Sequence, residues 1–217
     1  MKASLEHLVF YPSTTAGKYP TIVTLHGRGT DEYDLLPIVE SLELNNIILV
    51  SPRAPLLINP GGLMGGFAWY ETGEEGIPDA QTLQSNVDVL RRFLEEIKEA
   101  YPVNPERLIL LGFSKSTVMA YATGLLDPQS FRGIAALSGY VPNKSGLTFK
   151  LEQLTHFPVF ISHGEFDEVI PVKFGRESAD FLKAAGAGVD YHEYSMGHEV
   201  REETLRDLGA WLRNLLP

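Results

Sequence analysis

The chain has 217 residues, of which 44% are hydrophobic and 21% charged, and it contains no cysteine. This length and balance exclude a fully disordered chain, collagen and a coiled coil, and the lack of cysteine excludes disulfides, thiol catalysis and thiolate metal sites. The formal net charge of −10 repels nucleic acids and anionic membranes, so we expect neither as a partner.

Short apolar runs bounded by turn residues predict strands that are buried on both faces. In chain order, these strands are predicted at residues 21–25, 46–50, 107–111, 133–137 and 158–161. Residues 190–194 alternate more and predict an edge strand, and residues 8–11 predict a short leading strand. Apolar residues at helical spacing predict helices between and after the strands. The helices are predicted at residues 83–97, 116–126, 171–185 and 200–215.

The alternation of strands and helices predicts an α/β protein with a mostly parallel central sheet and helices on both faces. Neither an internal repeat nor a linker interrupts the pattern, so we expect one domain over residues 1–217. No apolar run reaches the ~18 residues of a membrane span, and the N-terminus lacks the apolar run of a signal peptide. We therefore expect a cytoplasmic protein without membrane insertion, although a leader cleaved off before residue 1 is compatible with the sequence.

A glycine-rich stretch at residues 59–70 carries large apolar side chains without any periodicity. One interpretation is a flexible surface loop. The other is a loop that overhangs a site and lines an apolar pocket, which we favour because large apolar groups are costly on a merely solvated loop. On this interpretation, the predicted substrate-binding residues are Leu63, Met64, Phe67 and Trp69.

Residues 112–116, Gly-Phe-Ser-Lys-Ser, lie between a predicted strand and a predicted helix. They are similar to the G-x-S-x-G nucleophile elbow, in which a sharp turn raises a serine above the sheet edge. Ser114 is the predicted nucleophile. Ser116 replaces the second glycine, and because serine is small we expect slight strain in the turn. A phosphate-binding P-loop is the rival interpretation, but Ser114 and Ile109 stand where that motif needs glycines.

A serine hydroxyl is a poor nucleophile unless a nearby base takes its proton. Of the six histidines, His198 lies after the last predicted strand and before the C-terminal helix, where a loop can reach the carboxyl edge of the sheet. His26 and His163 each end a strand and precede a glycine, so we expect them to hydrogen-bond within their turns. His198 is the predicted base.

The base must be oriented by an acid. Asp167 follows the fifth strong predicted strand and is the predicted acid, with Glu165 and Glu168 as alternatives in the same loop. The chain order Ser114, Asp167, His198 matches the serine–acid–histidine order of α/β-hydrolases. Each of the three residues follows a predicted strand, so all three can meet at the carboxyl edge of the sheet. This agreement is more specific evidence than any one of the three motifs.

Backbone N–H groups must also point at the oxyanion that develops during acyl transfer, and each contributes roughly 3 kcal/mol. Residues 25–29, Leu-His-Gly-Arg-Gly, follow the first strong strand, where the hydrolase fold supplies one such donor. We expect the N–H of Arg28 as this donor, paired with the N–H of Lys115 at the elbow. An ordinary glycine turn is the alternative for residues 25–29.

Several spaced motifs together resemble the phospholipase/carboxylesterase family of α/β-hydrolases, which includes bacterial carboxylesterases and acyl-protein thioesterases. The resemblance extends from about residue 21 to residue 199 and rests on blocks at residues 25–29, 34–37, 52–55, 65–70, 112–114, 163–167, 169–171 and 196–198. It implies an α/β-hydrolase fold without a large cap domain, and hydrolysis of carboxylic esters without a metal or organic cofactor. By motif match it also implies Ser114 as nucleophile, His198 as base and Asp167 as its partner.

The chain departs from the family pattern after the nucleophile. The family usually has glutamine and two glycines there, whereas this chain has Lys115, Ser116 and Thr117. The backbone N–H of residue 115 is present whatever the side chain, so the departure leaves the expected mechanism unchanged. The packing of the turn, the start of the following helix and the choice of substrate can differ. The charged side chains of Arg28 and Lys115 would favour esters that bear a carboxylate or phosphate, unless both point to solvent.

Together these residues predict a serine carboxylesterase that cleaves short- to medium-chain esters through an acyl-enzyme on Ser114. A thioesterase or lysophospholipase of the same family is an alternative, and a non-catalytic ligand-binding module on the hydrolase fold is an alternative of a different class. A peptidase is less favoured, because amide leaving groups need stronger acid assistance. We expect a small-molecule ester as partner, and a homodimer is compatible with the sequence, although no patch demands one.

Overall fold

The computed structural model describes residues 3–12, 17–58, 65–73 and 77–216. In chain order, its strands and helices are β1 (His7–Phe10), β2 (Tyr19–Leu25), α1 (Leu36–Ser41), β3 (Ile48–Pro52), β4 (Leu56–Ile58), β5 (Gly66–Ala68), α2 (Ala80–Ala100), β6 (Val103–Phe113), α3 (Lys115–Leu126), β7 (Gly133–Leu137), β8 (Pro158–Gly164), α4 (Lys173–Ala184), β9 (Gly188–Tyr194) and α5 (Glu202–Leu215).

Seven of the strands form one sheet in the order β1-β3-β2-β6-β7-β8-β9. All neighbours pair in parallel except β1, which runs antiparallel to β3 at one edge. β9 forms the other edge, as its alternating pattern predicts, and β4 and β5 form a separate antiparallel pair. Because parallel strands place their carboxyl ends at one edge of a sheet, the loops after β2, β6, β8 and β9 all emerge on the same side of the molecule.

Helices cover both faces of the sheet, because successive side chains of a strand point to opposite sides. On one face, Val23 and Leu110 belong to the apolar core formed with α2, α3 and α4. On the other face, Ile22 and Leu111 pack in a second core with α1 and α5. The predicted α/β-hydrolase fold, with a mostly parallel sheet and helices on both faces, is confirmed. Within the described ranges, the long connection from β3 to α2 carries the β4–β5 pair and no cap domain.

Three elements escape the sequence patterns, namely α1 and the paired strands β4 and β5. Helix α1 has six residues and no side-chain cap, which is too short to display a helical period. β5 lies inside the glycine-rich stretch, so the prediction of an irregular loop is wrong for Gly66–Ala68. Gly66 is needed there for close packing, because a Cβ at this position would lie 2.1 Å from the carbonyl oxygen of Gly29. Within the described ranges, no helix is both long and apolar enough to cross a membrane.

Candidate active site

Ser114 lies at the sharp turn between β6 and α3, with φ 61° and ψ −131°. This backbone conformation costs a residue other than glycine roughly 1–3 kcal/mol, so the surroundings must hold it. The N–H of Ser114 donates to the carbonyl oxygen of Leu137 at 2.9 Å. Gly112 lets α3 begin close to β6, since a Cβ there would lie 2.8 Å from the backbone nitrogen of Thr117. The serine therefore occupies a strained turn at the carboxyl edge of the sheet, as an elbow requires.

Ser116, which replaces the second glycine of the elbow, is fully buried. Its hydroxyl accepts a hydrogen bond from the N–H of Phe113 at 3.0 Å and has two carbonyl acceptors within reach, Leu25 O and Phe113 O. Phe113 directly precedes the nucleophile, and Leu25 is the first residue of the segment at residues 25–29 that is expected to form the oxyanion hole. The serine thus connects the two loops through hydrogen bonds, where the sequence predicts only slight strain.

The imidazole of His198 lies between Ser114 and Asp167. Its Nε2 is 2.8 Å from Ser114 Oγ, and its Nδ1 is 2.7 Å from Asp167 Oδ2. Both separations are hydrogen-bond distances. The ring also packs against Phe113, with ring centroids 4.9 Å apart. The three residues singled out from the sequence are therefore brought together in one continuous hydrogen-bonded chain.

Asp167 has a fully buried side chain, and both of its carboxylate oxygens are hydrogen-bonded. Oδ1 accepts from the backbone N–H groups of Val169 and Ile170 at 2.9 and 2.8 Å, which leaves Oδ2 for His198. Backbone donors of this kind stabilise a buried negative charge. The alternative acids, Glu165 and Glu168, are exposed in the same loop, so the contact with the imidazole belongs to Asp167.

His163 supports the acid loop from β8. Its Nε2 donates to the carbonyl oxygen of Ile170 at 2.7 Å and lies 3.4 Å from Asp167 Oδ2. Burial lowers the pKa of His163, which keeps the ring neutral. A Cβ at Gly175 of α4 would lie 2.6 Å from its Nδ1, so the helix packs tightly on this ring. His163 thus bonds within its turn, as expected, and it also fixes the backbone that holds the carboxylate.

The segment at residues 26–30 follows β2. Two of its backbone N–H groups, those of Gly27 and Gly29, donate hydrogen bonds, and the N–H of Arg28 lies between them. The N–H of Gly27 donates to Asp34 Oδ2 at 2.9 Å, and the N–H of Gly29 donates to the carbonyl oxygen of Phe67 at 2.9 Å. No acceptor for the N–H of Arg28 is found in the part of the chain that the structure describes. Lys115 is the first residue of α3, where helical N–H groups lack an intrahelical acceptor. The two N–H groups expected to stabilise the oxyanion, those of Arg28 and Lys115, are thus not used in the hydrogen bonds of a helix or a sheet within the described residues.

His26 and Trp69 hold this segment from inside the protein. Nε2 of His26 accepts from the N–H of Ala54 at 2.9 Å, so the proton is on Nδ1, which donates to the carbonyl oxygen of Gly27 at 2.8 Å. Burial lowers the pKa of His26, which keeps this neutral form. The indole N–H of Trp69 donates to the carbonyl oxygen of His26 at 3.1 Å. The backbone of the segment is thereby fixed by hydrogen bonds from two buried side chains.

The four predicted substrate-binding residues have different surroundings. Leu63 and Met64 lie outside the described residues. Phe67 is half-buried in β5, with the guanidinium carbon of Arg53 4.9 Å from its ring centroid. Trp69 is only 3% exposed and lines a small recess with Arg28 and Lys115. Phe67 and Trp69 thus support the segment at residues 26–30, and their contact with substrate remains a prediction.

The chemistry available to this arrangement follows from its groups. A serine hydroxyl beside an imidazole that is oriented by a buried carboxylate can attack an electrophilic carbon while the imidazole transfers the proton. Within the described ranges, no three His, Asp or Glu side chains are grouped so that they could hold a metal ion.

Comparisons with known proteins place the chain in a family. The model of the Phospholipase/Carboxylesterase family matches residues 12–216. Relatives include acyl-protein thioesterase 1 of Mycosarcoma maydis, 27% identical with 98% of each chain covered, and carboxylesterase SOBER1 of Arabidopsis thaliana, 29% identical with 90% of each chain covered. The crystal structure of esterase PE8 is similar with a TM-score of 0.83, 27% identity and full coverage of both chains. The Bacillus cereus carboxylesterase has a TM-score of 0.82 at 23% identity, with 98% of this chain and 95% of that chain covered. Since the family match spans nearly the whole chain, the protein is a hydrolase that belongs to the phospholipase/carboxylesterase family.

Proposed function

We propose that the protein is a serine carboxylesterase that hydrolyses esters of short- to medium-chain carboxylic acids through an acyl-enzyme on Ser114. The observation that carries this proposal is the hydrogen-bonded chain from Asp167 through His198 to Ser114, with contacts of 2.7 and 2.8 Å. Membership of a family of hydrolases, with relatives named carboxylesterase, supports ester chemistry at this serine.

In the proposed cycle, His198 Nε2 takes the proton of Ser114 Oγ as the oxygen attacks the acyl carbon. Asp167 keeps the other imidazole proton on Nδ1 and stabilises the imidazolium. The N–H groups of Arg28 and Lys115 stabilise the oxyanion of the tetrahedral intermediate. His198 then protonates the leaving alcohol, accepts a proton from water as the water attacks the acyl-enzyme, and returns that proton to Ser114 as the acid leaves.

Initial rates on para-nitrophenyl esters from acetate to laurate test this proposal. We expect kcat/KM to be highest for short and medium chains and Ser114→Ala to lower kcat by about 10⁴-fold or more. Ser85→Ala is the matched control, because Ser85 is exposed on α2, and it should leave the rates unchanged. Folded wild-type protein that cleaves none of the esters, or a Ser114→Ala variant that retains the activity, would contradict the proposal.

A thioesterase or lysophospholipase is the second candidate. It is favoured by the similarity to acyl-protein thioesterase 1 and by the family that matches, and the same nucleophile and base would carry out the reaction. The distinguishing measurement is kcat/KM on an octanoyl oxyester, the corresponding thioester and octanoyl lysophosphatidylcholine. A higher value on the thioester or the lysophospholipid than on the oxyester would favour the second candidate. Binding of all three without turnover would favour a non-catalytic module.

A further inference from the structure

The two residues that carry the proposed oxyanion donors also carry positively charged side chains, and these side chains converge. Nη1 of Arg28 donates to the carbonyl oxygen of Tyr70 at 3.1 Å, and Nζ of Lys115 donates to Thr72 Oγ1 at 3.3 Å. Both side chains line one recess, together with Trp69 and Tyr70. The structure therefore does not support the alternative in which both cations point freely into solvent.

Two cationic residues, Arg28 and Lys115, line the recess although the protein has a net charge of −10. Among the described residues, Glu71 supplies the one carboxylate at ion-pair distance from either cation, and its Oε2 lies 4.0 Å from Nη2 of Arg28. The Glu71 side chain is 54% exposed, and an ion pair at such a site contributes little. Burial, followed by the charge of Arg28, lowers the pKa of Lys115. The two cations thus repel each other at a place where an anion would reduce the repulsion.

We propose that the preferred substrate is an ester that carries a carboxylate or phosphate a few bonds from the scissile carbonyl, and that Arg28 and Lys115 bind this anionic group. The inference rests on the proposed esterase function, because it places the anion beside Ser114. A guanidinium matches the planar geometry of a carboxylate or phosphate, and an ammonium adds a point charge. Because both side chains leave the backbone at the proposed oxyanion donors, an anion held between them keeps its ester close to the nucleophile.

Matched ester pairs test whether the charge matters and which part of the substrate carries it. Monoethyl succinate against ethyl butyrate tests an anion on the acyl side, with ethanol release as the readout. Meta-acetoxybenzoate against meta-acetoxybenzamide tests an anion on the alcohol side. We expect kcat/KM to be about tenfold higher for the anionic member of at least one pair, and this preference to decrease with added salt.

The double variant Arg28→Gln/Lys115→Gln assigns the preference to these side chains while keeping both backbone N–H groups. We expect the ratio of kcat/KM for the anionic over the neutral ester to fall to about one, whatever the change in absolute activity. The matched control is Arg91→Gln/Lys98→Gln on α2, which changes the net charge equally and should keep the ratio. The charge-retaining variant Arg28→Lys/Lys115→Arg should keep most of the preference for the anionic ester.

The outcomes separate this inference from the proposed function. Ratios at or below one for both pairs in the wild type, with para-nitrophenyl acetate cleaved, would overturn the inference and leave the esterase intact. A preference that the double variant does not reduce would overturn the inference as well. Folded wild-type protein that cleaves neither the pairs nor para-nitrophenyl acetate would overturn the inference and the proposed function together.

Discussion

The two sides of the nucleophile are built in different ways. On the base side, which comprises the loops after β8 and β9, Asp167 and His198 make their contacts through side chains of the type that proton transfer requires. On the oxyanion side, which comprises the segment at residues 26–30 and the start of α3, the groups proposed to act are the backbone N–H groups of Arg28 and Lys115. Their positions depend on contacts from other elements. Single substitutions should therefore cause a nearly complete loss of activity on the base side and a partial loss on the oxyanion side.

The largest effect is expected from Asp167→Asn on the base side. The variant keeps an acceptor for the N–H groups of Val169 and Ile170, but it loses the charge that orients His198, so kcat should fall by about 10⁴-fold with little change in the free energy of unfolding. Rates on para-nitrophenyl butyrate and chemical denaturation measure both quantities. Glu168→Gln, an exposed change in the same loop, is the control. A loss of less than about tenfold in Asp167→Asn would show that another group orients the base.

A smaller effect is expected from Ser116→Ala on the oxyanion side. Removing a whole oxyanion donor costs about 10²–10³-fold in kcat. Here the donors stay and only the hydroxyl that connects Phe113 to Leu25 is lost, so we expect about a tenfold lower kcat, an unchanged KM and weaker binding of a trifluoromethyl ketone. The free energy of unfolding should fall by about 1–3 kcal/mol.

The control for Ser116→Ala is Ser145→Ala, which removes another buried hydroxyl, bonded to the carbonyl oxygen of Pro142 at 2.7 Å. It should lower the free energy of unfolding without lowering kcat. Ser116 would have no specific role in positioning the oxyanion side if both variants lowered kcat equally. The same would follow if Ser116→Ala lowered the free energy of unfolding without lowering kcat.

A third variant, Trp69→Phe, separates support of the oxyanion side from contact with substrate. It removes the indole N–H that donates to the buried carbonyl oxygen of His26, which should lower the free energy of unfolding by about 1–2 kcal/mol. Because Trp69 lines the recess with Arg28 and Lys115, we also expect a changed KM and a changed acyl-chain preference across the para-nitrophenyl series. If KM and preference stayed as in the wild type, Trp69 would only support the backbone.

The last expected effect is on stability alone and concerns pH, because each side contains one buried neutral histidine. Burial lowers the pKa of both His26 and His163 in the folded state. Below their ordinary pKa of about 6.5, the unfolded chain binds protons at these rings that the folded protein does not bind. The free energy of unfolding should therefore decrease as pH falls from about 7.5 to about 5.5, by at most about 1.4 kcal/mol per pH unit for each ring. Denaturant unfolding at both pH values measures the slope.

The matched variants for this pH effect are His163→Gln and His156→Gln. The first should make the slope shallower, because one buried ring is removed. The second should not change it, because His156 is exposed. A free energy of unfolding that is constant over this pH range, or a slope equally reduced by both variants, would contradict the assignment.

The sequence predicts the base side better than the oxyanion side, and the reason is physical. On the base side, β8 contains a continuous apolar run and β9 has an alternating pattern, so both strands are predictable from the sequence. The order Ser114, Asp167, His198 is itself a signal, because these side-chain types are what the chemistry needs. On the oxyanion side, Gly66 suggests a flexible loop although it serves a close backbone approach to Gly29.

Ser116 shows the same limit of sequence reasoning. Its sequence context suggests a tolerated departure from the elbow pattern, but its hydroxyl lies beside the carbonyl oxygen of Leu25, 91 residues earlier in the chain. Hydrogen bonds at such a separation leave no local pattern that periodicity or turn chemistry could reveal. The positions of Arg28 and Lys115 could be predicted from the turns they occupy, whereas the convergence of their side chains on residues 70–72 could not.

The most direct test of the account is the intact mass of the protein after exposure to a fluorophosphonate, for the wild type and for Ser114→Ala. This probe reacts with an activated serine whatever the natural substrate is, so it measures whether Ser114 is activated as a nucleophile. The proposed role of Ser114 as the nucleophile predicts one adduct on the wild type and none on the variant. Folded wild-type protein without an adduct, or an adduct that persists in Ser114→Ala, would contradict it.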